Sequence, residues 1–182
     1  MKEAIKNFPK QFAYEPIIEG GVLPDGFSAF TVVAMGGSAL AADILKVARP
    51  EIDLIVHRDY GLPVLSATEF KRRLTIIISY SGNTEEVISA FHGAIDKKMP
   101  MAVIASGGQL LELAKQESIP YIEIPNTGIQ PRMATGFLLK ALMRVIGDNV
   151  GLEEIKELGQ ILDVNSCEVD GKALANNLHD KV

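Results

Sequence analysis

The chain has 182 residues, 47% of them hydrophobic, with one cysteine and a formal charge of −5, enough apolar material for a core of its own. No apolar run approaches the roughly 20 residues that cross a bilayer, and the charged, Pro-interrupted start MKEAIKNFPKQF lacks a signal-peptide core, so a cytoplasmic protein without membrane partners is expected. Cys167 alone cannot form an internal disulfide or a cysteine-based metal cluster, His57, His92 and His179 lack ligand spacing, and residues 148–182 carry eight acids against three bases, which argues against metals, cofactors and nucleic acid.

Residues 1–20 read as an N-terminal helical arm. From Phe30 to Ile146 short β-rich runs alternate with longer helical patterns, the mark of a parallel sheet covered on both faces. Strands are predicted over 30–34, 52–56, 74–79, 101–105 and 121–124. Helices are predicted over 38–49, 84–98, 108–117, 131–146, 151–163 and 168–180, with a short one at 66–71. Right-handed crossovers then give an α/β fold, a doubly wound three-layer αβα sandwich with strand order 2-1-3-4-5. In that order the carboxyl ends of the first and third strands meet at the topological switch point, where open α/β sheets bind ligands. The expected organisation is an arm over 1–20, a ligand-binding domain over 21–150 and C-terminal helices over 151–182. The closing GKALANNLHDKV reads as a chain cut rather than finished.

The first strand runs into AMGGSALAADIL, where Gly36 and Gly37 let a ligand approach the backbone and Ser38 is predicted to open the next helix as its N-cap. The third glycine of a dinucleotide fingerprint is absent, and no acidic ribose partner follows the second strand, so NAD is disfavoured. The third strand carries Ile76, Ile77 and Ile78, three β-branched residues in a row, and gives way abruptly to Ser79, Ser81, Gly82, Asn83 and Thr84. Val87, Ile88, Phe91 and Ile95 then mark one face of a helix. Three hydroxyls thus meet the free N–H groups and positive dipole end of a helix, a combination suited to a phosphate monoester. An ordinary cap, with Asn83 and Glu86 at capping-box spacing, is the plainer alternative. Glu85 and Glu86 place negative charge beside the same turn and have to point away from a phosphate. No lysine is in the loop, which excludes the nucleotide-binding G-x-x-x-x-G-K-[ST] pattern.

The turn Ser106-Gly107-Gly108 after the fourth strand reads as structural, as do Asn126, Thr127 and Gly128 after the fifth. Pro131 suits the first turn of a helix with the stripe Met133, Phe137, Leu138, Ala141, Leu142 and Val145, ending at Gly147. Arg132 then lies in that first turn. A cation there opposes the helix dipole, at about 0.3–1 kcal/mol, and an anionic partner or simple solvation accounts for it equally well.

In this order MGGSAL, SYSGNTEE, ASGG and PNTGIQPRMA resemble the N-terminal half of the bifunctional phosphoglucose/phosphomannose isomerase family, enzymes built from sugar isomerase (SIS) domains. The resemblance runs from FPKQF to the end of the chain. It implies that Gly37 and Ser38 contact a sugar, that Ser79, Ser81 and Thr84 hold its phosphate, and that Arg132 faces the reacting carbons. A fixed guanidinium there stabilises the enediolate of an aldose–ketose isomerisation. It also implies a homodimer or pairing with a second SIS domain, which in the family supplies the glutamate base and a histidine for ring opening. Neither Glu85, Glu86 nor His57 matches those positions. Ala34 and Ala42 stand where the family usually has glycine. A sugar-phosphate-binding module that senses and does no chemistry is the competing expectation.

Overall fold

A computed structural model describes residues 2–179. Five parallel strands, β1 (Ala29–Ala34), β2 (Asp53–His57), β3 (Arg73–Ser79), β4 (Met101–Ala105) and β5 (Tyr121–Glu123), pair in the order β2-β1-β3-β4-β5. This is the predicted doubly wound sheet, with strand ends within one residue of expectation. Strands β1, β3 and β4 are buried along their whole length, because β-branched side chains pack on both faces of a covered sheet.

Consecutive isoleucines show how the faces divide. Ile76 and Ile78 join the core shared with α2 (Gly36–Ala48), α6 (Thr135–Ile146) and α7 (Asn149–Ile161), whereas Ile77 joins the core shared with α4 (Glu85–Asp96) and α5 (Gly108–Gln116). The short α3 (Ala67–Arg72) leads into β3 and is capped by Ser66, whose hydroxyl accepts from Glu69 N. At the amino ends of the strands the buried Arg73 is bonded to both carboxylate oxygens of Asp53 and to Glu69, far along β3 from Ser79.

Several helical expectations are corrected. The segment Pro131–Met133 is a 3-10 turn closed by Met133 N to Gln130 O at 2.7 Å and Ala134 N to Pro131 O at 3.1 Å, and α6 starts only at Thr135. The Thr135 hydroxyl donates to the Arg132 carbonyl at 2.9 Å. Arg132 therefore precedes α6 instead of sitting in its first turn, and the dipole argument for it lapses. Helix α7 starts at Asn149 because Asp148 accepts from Gly151 N at 2.8 Å, and α8 (Val164–Leu178) starts four residues early because Asp163 accepts from Asn165 N at 2.9 Å. The predicted end of that last helix, residue 180, lies outside the described residues.

The arm is helical only to Ala13: α1 (Lys2–Lys6) is followed by a 3-10 segment, Phe8–Ala13. Pro16 then disfavours helix at the preceding residue, and the chain extends until Glu19 pairs with Tyr121. The 3-10 segment packs on α6 and α7, with Phe8 and Phe12 in an edge-to-face pair. Among the described residues no helix is long and apolar enough to cross a membrane, and no group of His, Cys, Asp and Glu is placed to hold a metal ion.

Candidate functional site

Residues Ala34 and Ile78 are register partners at the carboxyl ends of β1 and β3, so loops 35–38 and 79–84 leave the sheet side by side. Helix α2 begins at Gly36 (φ +49°), with Met35 in the capping position. Ser38 is thus inside the first turn and not its cap. Its buried hydroxyl instead accepts from the Tyr80 N–H at 3.0 Å, fastening the first loop to the serine loop. Gly37 brings in a third segment. A Cβ at Gly37 would lie 2.4 Å from the backbone nitrogen of Arg132 and 2.8 Å from its Cα, so only glycine lets the turn carrying Arg132 rest on the first loop.

Within the serine loop, buried Ser79 accepts from Gly82 N at 3.1 Å, and its Oγ lies 2.9 Å from the Thr84 Oγ1. Ser81 is exposed, with Asn83 N donating to its hydroxyl at 3.3 Å. Thr84 occupies the N-cap position of α4, yet its side chain makes no capping bond to that helix. The helix's first-turn N–H groups and the positive end of its dipole lie at the end of the serine loop, next to Thr84 and three residues from Ser81.

Two of the predicted residues form the framework beneath. Gly82 (φ +70°) lies so close to the next loop that a Cβ would meet the Gly107 carbonyl oxygen at 1.8 Å, and Leu110 N donates to the Gly82 carbonyl at 2.8 Å. The Asn83 amide accepts from Gln109 N at 3.0 Å and donates to the Ser81 carbonyl at 3.2 Å. Asn83 thus serves the start of α5, and the capping box with Glu86 is not made. Residues Ser106-Gly107-Gly108, read as an ordinary turn, are the platform on which the serine loop stands.

Glu85 is drawn toward the segment after β2. Glu85 accepts from the Tyr60 hydroxyl at 3.3 Å. The Tyr60 phenol is held above its ordinary pKa, first by the charge of Glu86, then by burial and by the bond to Glu85. Arg132 is exposed and borders a cavity of about 590 Å³ that is also lined by Ile5, Phe8, Met133, Leu162 and Cys167. None of Ser79, Ser81 and Thr84 lines that cavity. The first loop is joined to the serine loop by the Ser38 hydroxyl and to the turn of Arg132 by the backbone approach at Gly37.

One residue of the neighbourhood has no counterpart in the sequence reading. Gln11, buried in the arm, donates from Nε2 to the Met133 carbonyl at 2.6 Å and accepts at Oε1 from Gly136 N at 3.0 Å and Phe137 N at 3.3 Å. The only local sign of it is a glutamine set between Phe8 and Phe12 in an otherwise amphipathic arm.

In sequence the chain is similar to the bifunctional phosphoglucose/phosphomannose isomerase of Caldicellulosiruptor bescii, 38% identical over 98% of this chain and 56% of the relative. It is similar in the same way to that of Aquifex aeolicus, 33% identical over 97% of this chain and 54% of the relative. The chain spans about half the length of these curated relatives. In fold it is similar to the Vibrio vulnificus NanR protein, solved in complex with ManNAc-6P, with a TM-score of 0.52 and 16% identity over 93% of this chain and 60% of that one. No protein-family profile matches the chain.

Proposed function

The chain belongs by sequence to the bifunctional phosphoglucose/phosphomannose isomerase family, and from that premise we propose that it is the half of such an enzyme that binds a hexose 6-phosphate at the switch point. The substrates are glucose, mannose and fructose 6-phosphate, interconverted by aldose–ketose isomerisation. The phosphate sits against Ser79, Ser81, Thr84 and the first turn of α4, where hydroxyls and unshared N–H groups favour a dianion. Gly36, Gly37 and Ser38 border the sugar, and Gly82 and Asn83 hold the shape of the phosphate loop. Arg132 stabilises the oxyanion of the enediolate, a charge that develops only along the reaction path.

The observation that carries this reading is the joining of three loops at one point: Ser38 bonds to Tyr80, and Gly37 admits the backbone of Arg132. The general base is assigned to a second SIS domain, contributed by another part of the protein or by a dimer partner.

Residues 1–182 alone should therefore bind fructose 6-phosphate and show little isomerase activity, since a positioned base contributes about 10²–10⁴-fold. Supplying the separate second half of a relative should restore turnover. In that pair Arg132→Ala should lower kcat more than it weakens binding, whereas Ser81→Ala should mainly raise KM, because a remote phosphate contact is made equally in ground and transition states. Full activity from residues 1–182 alone would overturn the assignment of the base. Association of the halves without turnover would favour a sensing module.

A further inference from the structure

The turn that carries Arg132 is held from two sides. On one side lies the glycine of the first loop; on the other lies Gln11, whose side chain is 4% exposed and makes three bonds to residues 133–137. Helix α6 has Ala134 in its capping position and no cap of its own, so its leading N–H groups need an acceptor from elsewhere. Gln11 Oε1 provides it across 125 residues of sequence. Gly136 makes the room: a Cβ there would lie 2.8 Å from the Gln11 Cβ and 2.9 Å from its Oε1.

The glutamine is itself pinned. Lys140, fully buried on α6, donates to the Phe12 carbonyl at 2.8 Å and to Glu15 at 3.2 Å, locking the residues that follow Gln11 onto the same helix. The bonds to Gly136 and Phe137 are those of a cap. The bond from Nε2 to the Met133 carbonyl is not required for capping, and it reaches into the 3-10 turn one residue beyond Arg132.

We infer that Gln11 is a positioning residue for Arg132: it fixes the turn from which the guanidinium projects and fills the N-terminus of α6. This rests on the role given to Arg132 above. Placement of this kind matters for rate, because a displacement of about 1 Å at a reacting group can cost on the order of 10²-fold.

Two variants separate positioning from simple capping. Gln11→Ala removes all three bonds. Gln11→Glu keeps the acceptor for Gly136 and Phe137, but turns the donor to Met133 into an oxygen set against that carbonyl. In ¹⁵N-labelled residues 1–182, the Arg132 Nε–Hε resonance should move in both variants, while the Gly136 and Phe137 amides should move strongly only in Gln11→Ala. In the reconstituted two-half enzyme Gln11→Glu should lower kcat about tenfold with KM changed less than about twofold, as expected when a transition-state contact is misplaced. An Arg132 resonance unmoved in Gln11→Glu, with kcat unchanged, would reduce Gln11 to a cap and overturn the inference; that variant decides even if Gln11→Ala fails to fold. If Arg132→Ala leaves kcat unchanged while Gln11→Glu still moves the Arg132 resonance, the positioning stands and the catalytic role of Arg132 falls.

Discussion

Replacing Gly82 by alanine tests how tightly the serine loop depends on its neighbour. The residue has φ +70°, and a Cβ would be placed 1.8 Å from the Gly107 carbonyl oxygen and 2.8 Å from the carbonyl carbon, both backbone atoms of the facing turn. Nothing flexible can yield, so the two loops must part by more than an ångström. That movement pulls directly on the bonds from Leu110 N to the Gly82 carbonyl at 2.8 Å and from Gln109 N to the Asn83 amide at 3.0 Å. Left-handed backbone costs an alanine about 1–2 kcal/mol, and each lost hydrogen bond about 0.5–1.5 kcal/mol, for a total of about 2–5 kcal/mol. Gly26 supplies the control, since it has φ +78° and no atom within 4 Å of the point its Cβ would occupy. Gly26→Ala should thus cost only the conformational part, about 1–2 kcal/mol. Urea denaturation with the slope held equal reads the difference as a lower midpoint. Equal midpoints for the two variants would refute the claim that the serine loop rests on the Gly107 turn.

Two further outcomes follow from groups away from the site. The hydroxyls of Thr31 and Thr75, register partners on β1 and β3, are buried with no hydrogen-bond partner among the described residues; Thr75→Val should raise stability by about 1 kcal/mol, and a loss of that size in urea would show the hydroxyl to be satisfied. The Glu168 carboxylate is held down to about 2 by Lys172 first, then by Lys2 and Lys6. Its folded value lies below the ordinary 4.5, so the stabilisation is whole above pH 4.5 and is lost as pH falls toward about 2. Protection of the α8 amides, taken relative to the intrinsic exchange rate at each pH, should therefore fall over that window, and at higher pH in high salt, while constant protection would count against the lysine cluster as the tether.

The sheet was legible because burial on both faces leaves a local mark: runs such as Ile76–Ile77–Ile78 can be read without knowing their neighbours. The serine loop was legible for the same reason, since hydroxyls between a strand and a helix are a local pattern. What escaped were contacts between segments distant in sequence. Asn83 has the spacing for a capping box with Glu86, yet the start of α5 is near enough to claim its amide. Pro131 does open a turn, but the Thr135 hydroxyl bonded to the Arg132 carbonyl and the acceptor supplied by Gln11 delay the α-helix to Thr135. Ser38 has the residue type and place of a cap, and Tyr80 takes its hydroxyl instead. No periodicity within a window of residues reports such pairings.

The bonds of Gln11 and Lys140 also bear on the order in which the molecule folds. Contacts spanning 125 and 128 residues carry a high loop-closure cost and form late relative to the strand crossovers between them. During synthesis the arm leaves the ribosome long before α6 exists to receive it, so its apolar residues Phe8 and Phe12 wait without a partner. The sheet and its serine loop can be complete while the turn bearing Arg132 is still unfixed. Refolding followed at Ser81 and at Arg132 would then report two different clocks within one small domain.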